Sequence, residues 1–253
     1  VTDVLVGVQH RDGVRTLTLD SPANRNALSA RMLAQLEEAL RDATSDADVR
    51  AVVLTGAGTV FCSGADLSER GAAAPSRMPS ILTAMVESPV PVIVRVNGHA
   101  RAGGLGLIAA ADMAVALEAS TFAFTEVRVG VAPAMILVPA LRVVDRRFLA
   151  RAALTGARFT ASEAAAAGLV SAVTDDEAGL DAWVADQTTA ILQAAPGALN
   201  ATKELLRSLP SLDWTDGLAV AAATSAELFA GTEAAEGMDA FLQKRRPSWD
   251  TSA

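Results

Sequence analysis

The sequence predicts an α/β fold with largely parallel strand pairing and a C-terminal helical subdomain. Three observations carry this. Short runs that are apolar on both faces, at 51–55, 91–96 and 113–117, alternate with turns and helical stretches, the order expected of a sheet covered by helices on both sides. Glycines cluster directly after the first two runs, where a strand must hand over to a helix. Beyond Asp176 the strand patterns stop and four helical patterns follow.

Taken in order, residues 4–10 and 14–20 are extended runs rich in Val, Leu and Thr, separated by Arg11-Asp12-Gly13, which reads as a β-hairpin. Ser29 is a good N-cap for a helix in which Met32, Leu33, Leu36 and Leu40 recur at helical spacing. The strand at 51–55 ends at Gly56-Ala57-Gly58. Residues 68–80, with Gly71, Pro75 and Pro79, show no period and read as a loop or frayed helix of the sort that covers a ligand. The strand at 91–96 leads into an alanine-rich helix at 103–111, and a third strand follows at 113–117. Thr160-Ala161-Ser162-Glu163 is a capping box before a short helix that stops at Gly168, and 169–173 is a final strand. Helices are expected at 181–194, 196–208, 214–229 and 232–244. This divides the chain into a core at 1–175 and a helical subdomain at 176–253.

Bulk properties narrow the function. Hydrophobic residues make up 51% of the 253 and charged residues 20%, but aromatics only 4% with no Tyr, so aliphatic side chains must build a sizeable core. The formal charge of −8 argues against nucleic-acid binding, which needs clustered Lys and Arg. One cysteine, Cys62, forbids an intramolecular disulfide and points to a reducing, cytoplasmic setting. Val1-Thr2-Asp3 does not read as a signal peptide, and no apolar run is long enough to span a bilayer. His10 and His99 lie in different elements without a metal-binding pattern, so no metal is expected. His10 reads as a surface residue, His99 as a packing residue, Cys62 as a small buried hydrophobe, and Asp112 as a local cap or partner.

Two strand-to-helix junctions carry the chemistry. They are Phe61-Cys62-Ser63-Gly64-Ala65-Asp66-Leu67 and Asn97-Gly98-His99-Ala100-Arg101-Ala102-Gly103-Gly104. A helix start offers unpaired N–H groups and a positive dipole end. Two such ends aimed at one oxygen form an oxyanion hole, in which one donor is worth roughly 3–4 kcal/mol.

The first junction resembles a signature of the crotonase (enoyl-CoA hydratase/isomerase) superfamily. Further resemblances run in register along the chain: Asn24-Arg25-Asn26-Ala27-Leu28, residues 91–104, Phe124 to Pro133, Leu154-Thr155-Gly156 to Gly168-Leu169-Val170, and Glu236-Gly237-Met238-Asp239-Ala240-Phe241-Leu242-Gln243-Lys244-Arg245. The resemblance implies a crotonase-type spiral of ββα units acting on an acyl-CoA thioester, with no cofactor beyond the coenzyme A of the substrate. It implies that the amides of Ala65 and Gly103, with Gly104 as the register alternative, hold the thioester oxygen. Arg25, Ala27, Asp66 and Leu67 are expected along the CoA track. Phe241 and Lys244 are expected to close the CoA pocket, often from a neighbouring subunit. A homotrimer or dimer of trimers is implied.

Glu126 falls on the position of a catalytic glutamate. A carboxylate beside an apolar pocket can shuttle a proton; the structural alternative is a carboxylate paired with Arg128. The family's other catalytic glutamate has Gly106 in its place, as in bacterial enoyl-CoA hydratases that lack it. The expected reaction is hydration of a 2-enoyl-CoA on Glu126 alone. The alternatives are double-bond isomerisation of a 3-enoyl-CoA by the same residue and acyl-CoA binding without catalysis. Ile81, Leu82, Met85, Val131, Met135 and Ile136 are candidate acyl-pocket walls, or core.

Overall fold

A computed structural model describes residues 3–69 and 77–250. The hairpin forms as expected: β1 (Val6–Arg11) pairs antiparallel with β2 (Val14–Leu19). Ser29 caps α1 (Ala30–Ser45), its side chain accepting the Met32 N–H. Met32, Leu36 and Leu40 are buried, and Leu33 is partly buried against the same core.

Three ββα units follow. The first is β3 (Ala51–Gly56), β4 (Val60–Cys62) and α2 (Met78–Val86). The second is β5 (Val92–Val96), β6 (His99–Arg101) and α3 (Gly103–Ala110). The third is β7 (Met113–Leu117), β8 (Thr121–Ala123) and α4 (Ala134–Val143). Each unit gives its first strand to one sheet and its second to another. After α5 (Arg146–Thr155) come β9 (Phe159–Thr160), α6 (Ala161–Ala166) and β10 (Ala172–Thr174). The large sheet has the order β1-β2-β3-β5-β7-β10, the small one β4-β6-β8-β9. Pairing is parallel except at β1·β2 and β8·β9.

The central strands of the large sheet, β3, β5 and β7, are buried on both faces. Val52, Leu54, Val92 and Val94 point into the main core, while Ala51, Val53 and Ile93 pack with Ile191 and Trp183 of α7 (Glu177–Gln193). Alternation along a strand sends successive side chains to opposite faces, so a run apolar throughout is what a two-sided sheet requires.

Several expectations shift. The last strand begins at Ala172, because Leu169 and Val170 are buried in the turn that ends α6, where the Leu169 N–H still donates to Ala164 O (2.9 Å). The small sheet is not apparent from sequence, since its strands are three residues or fewer. Of the irregular stretch expected at 68–80, residues 70–76 lie outside the described residues, and α2 is already helical at Met78.

The helices α8 (Pro196–Ser208), α9 (Trp214–Phe229) and α10 (Thr232–Leu242) close the chain. Lys203 anchors α8: its buried ammonium donates to the carbonyls of Met85 (3.0 Å) and Val90 (3.2 Å) and to Asp112 Oδ2 (2.7 Å). By contrast, α9 has no buried residue, and Trp214, Phe229, Phe241 and Leu242 are exposed in the single chain. Among the described residues, no helix is long and apolar enough to cross a membrane.

Candidate active site

The small sheet sets the site. Its strands β4, β6 and β8 run parallel, with Cys62 opposite Ala100, Ala100 opposite Phe122 and Arg101 opposite Ala123. Their carboxyl ends therefore lie along one edge. Ala65 is three residues past β4, Gly103 two past β6, and Glu126 three past β8. Groups far apart in sequence are thus delivered to one rim, the place where parallel α/β sheets hold their ligands.

At Ala65 the chain makes an isolated parallel bridge with Leu28. The Leu28 N–H donates to Gly64 O (2.8 Å), and the Asp66 N–H donates to Leu28 O (3.3 Å). In a parallel ladder the residue between two such bonds turns its own N–H to the other side. The Gly103 N–H opens α3, where a helix has no internal acceptor to offer. Among the described residues, neither the Ala65 nor the Gly103 N–H has an acceptor. Gly103 is partly open, whereas Gly104 is buried and packed so closely that an added Cβ would lie 2.8 Å from Cys62 Cβ.

The two junctions abut. Gly64 has φ +91°, and a Cβ on it would sit 2.8 Å from Ala102 Cβ. Ala102 itself holds φ 47°, ψ −119°, a corner that costs an L-residue on the order of 1–3 kcal/mol and that such sites retain when the surrounding structure over-determines it. Two buried asparagines lock the surrounding loops. Asn26 accepts the Ser21 N–H and donates to the carbonyls of Ala57 and Val60. Asn97 accepts the Gly56 N–H and donates to Gly58 O.

Glu126 begins a 3-10 turn (Glu126–Val129). Burial pushes its carboxyl above its ordinary value of 4.5, and Oε2 is buried with no hydrogen-bond partner among the described residues. It is not the paired structural carboxylate: the Arg128 guanidinium turns away, Nε donating to Thr155 O (3.3 Å). Cys62 is fully buried, its thiol pushed up to about 12, which suits a packing group and not a nucleophile.

The segment carrying Arg25 and Ala27 lies beside the first junction, with the Ser63 N–H donating to Arg25 O (3.1 Å). Asp66 is held below the usual carboxylate range by the hydroxyl and N–H of Ser68, and Leu67 is exposed. Phe241 and Lys244 are not brought to this rim within one chain. Gly237 of α10 packs under the Trp249 ring, and the Trp249 carbonyl accepts from Arg50, which places α10 near the opposite, amino end of β3. His99 sits at the amino end of β6, exposed, its Nδ1 accepting the Thr121 N–H (3.1 Å). His10 is exposed, as expected. Ile81, Leu82, Met85 and Ile136 are buried, while Val131 and Met135 are exposed. Leu82 and Met135 border a separate cleft of about 300 Å³ with Pro79, Val138 and Arg142. No group of residues with metal-ligand chemistry occurs among the described residues.

Sequence reasoning missed Asn26, Asn97 and Lys203. The available signals were two asparagines beside the glycine-rich turns and one lysine within the Leu199–Leu206 stretch of an amphipathic helix.

The structure is a two-sheet ββα spiral with two amides that lack acceptors and one partly buried acid at the ends of neighbouring parallel strands. The chain belongs to the enoyl-CoA hydratase/isomerase family, whose pattern it matches over residues 9–252. It is 36% identical to a putative enoyl-CoA hydratase of Thermus thermophilus, covering 92% of this chain and 96% of that one. It is 32% identical to the 2,3-dehydroadipyl-CoA hydratase of Escherichia coli, covering 98% and 99%. The crystal structure of an enoyl-CoA hydratase from Mycobacterium smegmatis superimposes with a TM-score of 0.91 at 35% identity, covering 98% of this chain and 99% of that one.

Proposed function

We propose that this chain hydrates a 2-enoyl-CoA thioester, with Glu126 as its one catalytic carboxylate and the amides of Ala65 and Gly103 as the oxyanion hole. The supporting observation is the rim: two N–H groups without acceptors and a buried carboxyl oxygen without a partner sit at the ends of adjacent parallel strands. Glu126 takes a proton from water as the water oxygen bonds to Cβ. The electron pair moves to the thioester oxygen, where the two amides hold it. Glu126 then returns the proton to Cα, and the carboxylate is restored. Arg25, Ala27, Asp66 and Leu67 line the CoA track in this reading. No cofactor is needed beyond the CoA of the substrate.

Phe241, Lys244 and the helices of 176–253 belong to the same proposal, as the parts that close a neighbour's CoA pocket and assemble a trimer or dimer of trimers. The exposed apolar side chains of α9 and α10 support it. We place the protein in the cytoplasm, on its single unbridged cysteine.

A second reading, isomerisation of a 3-enoyl-CoA, is favoured by the packing at Gly106, where no second carboxylate stands. The test is loss of the conjugated enoyl-thioester absorbance with crotonyl-CoA, and its appearance with a 3-enoyl-CoA. Glu126→Gln should lower either rate by about 10²–10⁴-fold. CoA-thioester binding with no turnover, unchanged by Glu126→Gln, would leave only an acyl-CoA-binding protein.

A further inference from the structure

The cleft of about 300 Å³ between α2 and α4 is separate from the rim but begins beside it. A Cβ on Gly103 would lie 3.0 Å from Met78 Cε, so the first residue of α2 touches the glycine whose amide faces the rim. The next residue, Pro79, lines the cleft. On the other wall Met135 lines the cleft, and its neighbour Ile136 packs on Gly106, about one turn into α3. The far ends of the same helices also meet, since Val86, Ala110 and Arg142 border a second cleft. Helices α2, α3 and α4 therefore run side by side away from the rim, and the first cleft follows them.

Its walls are apolar and its far end is charged. Pro79, Leu82 and Val86 of α2 stand against Met135, Val138 and Pro139 of α4. Glu87, Arg142 and Arg207 lie at the far end. Arg207 is already engaged: it donates to Glu204 and stands 3.9 Å from Glu87. Lys203 nearby is engaged by Asp112 (2.7 Å). Arg142 is exposed and has no acceptor among the described residues. Side chains on a helix lean toward its N-terminus, here the rim end, so the Arg142 guanidinium leans back over the cleft. From Pro79 to Val86, or from Met135 to Arg142, the path is about 10 Å long at 1.5 Å per residue. An extended chain advances roughly 1.2 Å per bond, so about eight carbons span it.

We propose that this cleft holds the outer part of the acyl chain and that Arg142 binds a carboxylate at its tip. The preferred substrate is then the 2-enoyl-CoA thioester of a medium-chain dicarboxylic acid. The proposal rests on the enoyl-CoA reading above and names its substrate class. The walls stabilise the methylenes of any acyl chain in proportion to the area they cover. A terminal carboxylate adds a charge-assisted hydrogen bond to a cation that has no other partner. A terminal methyl group desolvates the same guanidinium and offers it nothing. Glu87 does not stand against the carboxylate alone, because Arg207 faces it. Arg142 also lies in the last turn of α4, where a cation suits the helix dipole, but that role by itself creates no preference between acyl tails.

The experiment measures kcat/KM for paired 2-enoyl-CoA thioesters of four to twelve carbons, one of each pair ending in a methyl group and the other in a carboxylate. The readout is the carboxylate-to-methyl ratio, in which the folded fraction cancels. In wild type the ratio should rise to about tenfold at one medium length, and should stay near unity at four carbons, where the tip cannot leave the rim. Arg142→Gln should bring the peak down to about unity, Arg142→Lys should keep part of it, and added salt should lower it in wild type. A wild-type ratio below about twofold at every length overturns the proposal. So does an Arg142→Gln variant that slows both members of each pair equally, because the arginine would then serve only the helix end. If wild type hydrates crotonyl-CoA but shows no such peak, the carboxylate assignment alone is wrong. If it turns over no enoyl-CoA of either series, the enoyl-CoA reading falls and takes this proposal with it.

Discussion

Gly64→Ala tests the contact between the two amide-bearing turns. The new Cβ would stand 2.8 Å from Ala102 Cβ and 3.3 Å from Arg101 O. Carbon atoms prefer a separation of about 3.5–4.0 Å, so the turns must part by about 1 Å. The φ of +91° adds about 1–2 kcal/mol for an L-residue, and the overpacking about 1–3 kcal/mol. Together they predict a loss of about 2–5 kcal/mol, or a melting temperature lower by about 4–20 °C for a chain of this size. Catalysis should suffer more than folding. A misplacement of about 1 Å costs on the order of 100-fold in rate, so kcat for crotonyl-CoA should fall by about that factor at temperatures where the variant remains folded. Gly58→Ala is the control. Its φ is +75°, but the nearest atom to a new Cβ is Pro22 Cβ at 3.4 Å, so it carries backbone strain without the collision. Both variants would be followed by thermal unfolding and by the absorbance assay. If Gly64→Ala keeps kcat within about twofold of Gly58→Ala, the two turns do not depend on each other and the shared-oxyanion argument is wrong.

Other consequences are equally direct. Because burial raises the Glu126 carboxyl above its ordinary value of 4.5, the base form appears only as pH rises through the raised value, and kcat should climb there. The stability effect has the opposite sign: the stability tied to neutral Glu126 is fully present below 4.5 and lost as pH rises through the folded value. Glu126→Gln should therefore flatten the upper part of that profile in melts from about pH 4 to about pH 8. Lys203→Met should cost about 3–5 kcal/mol in urea unfolding, the usual consequence of removing one partner of a buried pair. The lower end is expected because Asp112 is partly exposed and keeps the Val92 N–H. A loss under about 1 kcal/mol would mean that this ammonium does not anchor α8.

Legibility from sequence followed the range of the interactions. The buried strands, the Ser29 cap and the Thr160–Glu163 capping box were readable because each is written in neighbouring residues. The small sheet was not, because strands of two or three residues carry too little alternation to register as a pattern. Helices α4 and α5 also escaped, since Pro139 interrupts the first and arginines crowd the second. The candidate site residues could be named one at a time, but not arranged. Nothing local to Glu126 distinguishes an ion pair with Arg128 from the buried, unpartnered Oε2 that the fold produces.

The sequence by itself determined the long buried strands, the capped helices, the two glycine-rich junctions, the acid at 126 and the family, because hydrophobic period, caps and motif spacing are properties of short stretches. Only the tertiary structure decided which groups share a rim, that Gly64 and Ala102 abut, that Ile136 closes the space at Gly106, and that Lys203 reaches Asp112 across 91 positions. These are contacts between distant segments. They depend on how parallel strands align and on the volume left between helices, and neither quantity is carried by any one stretch of chain.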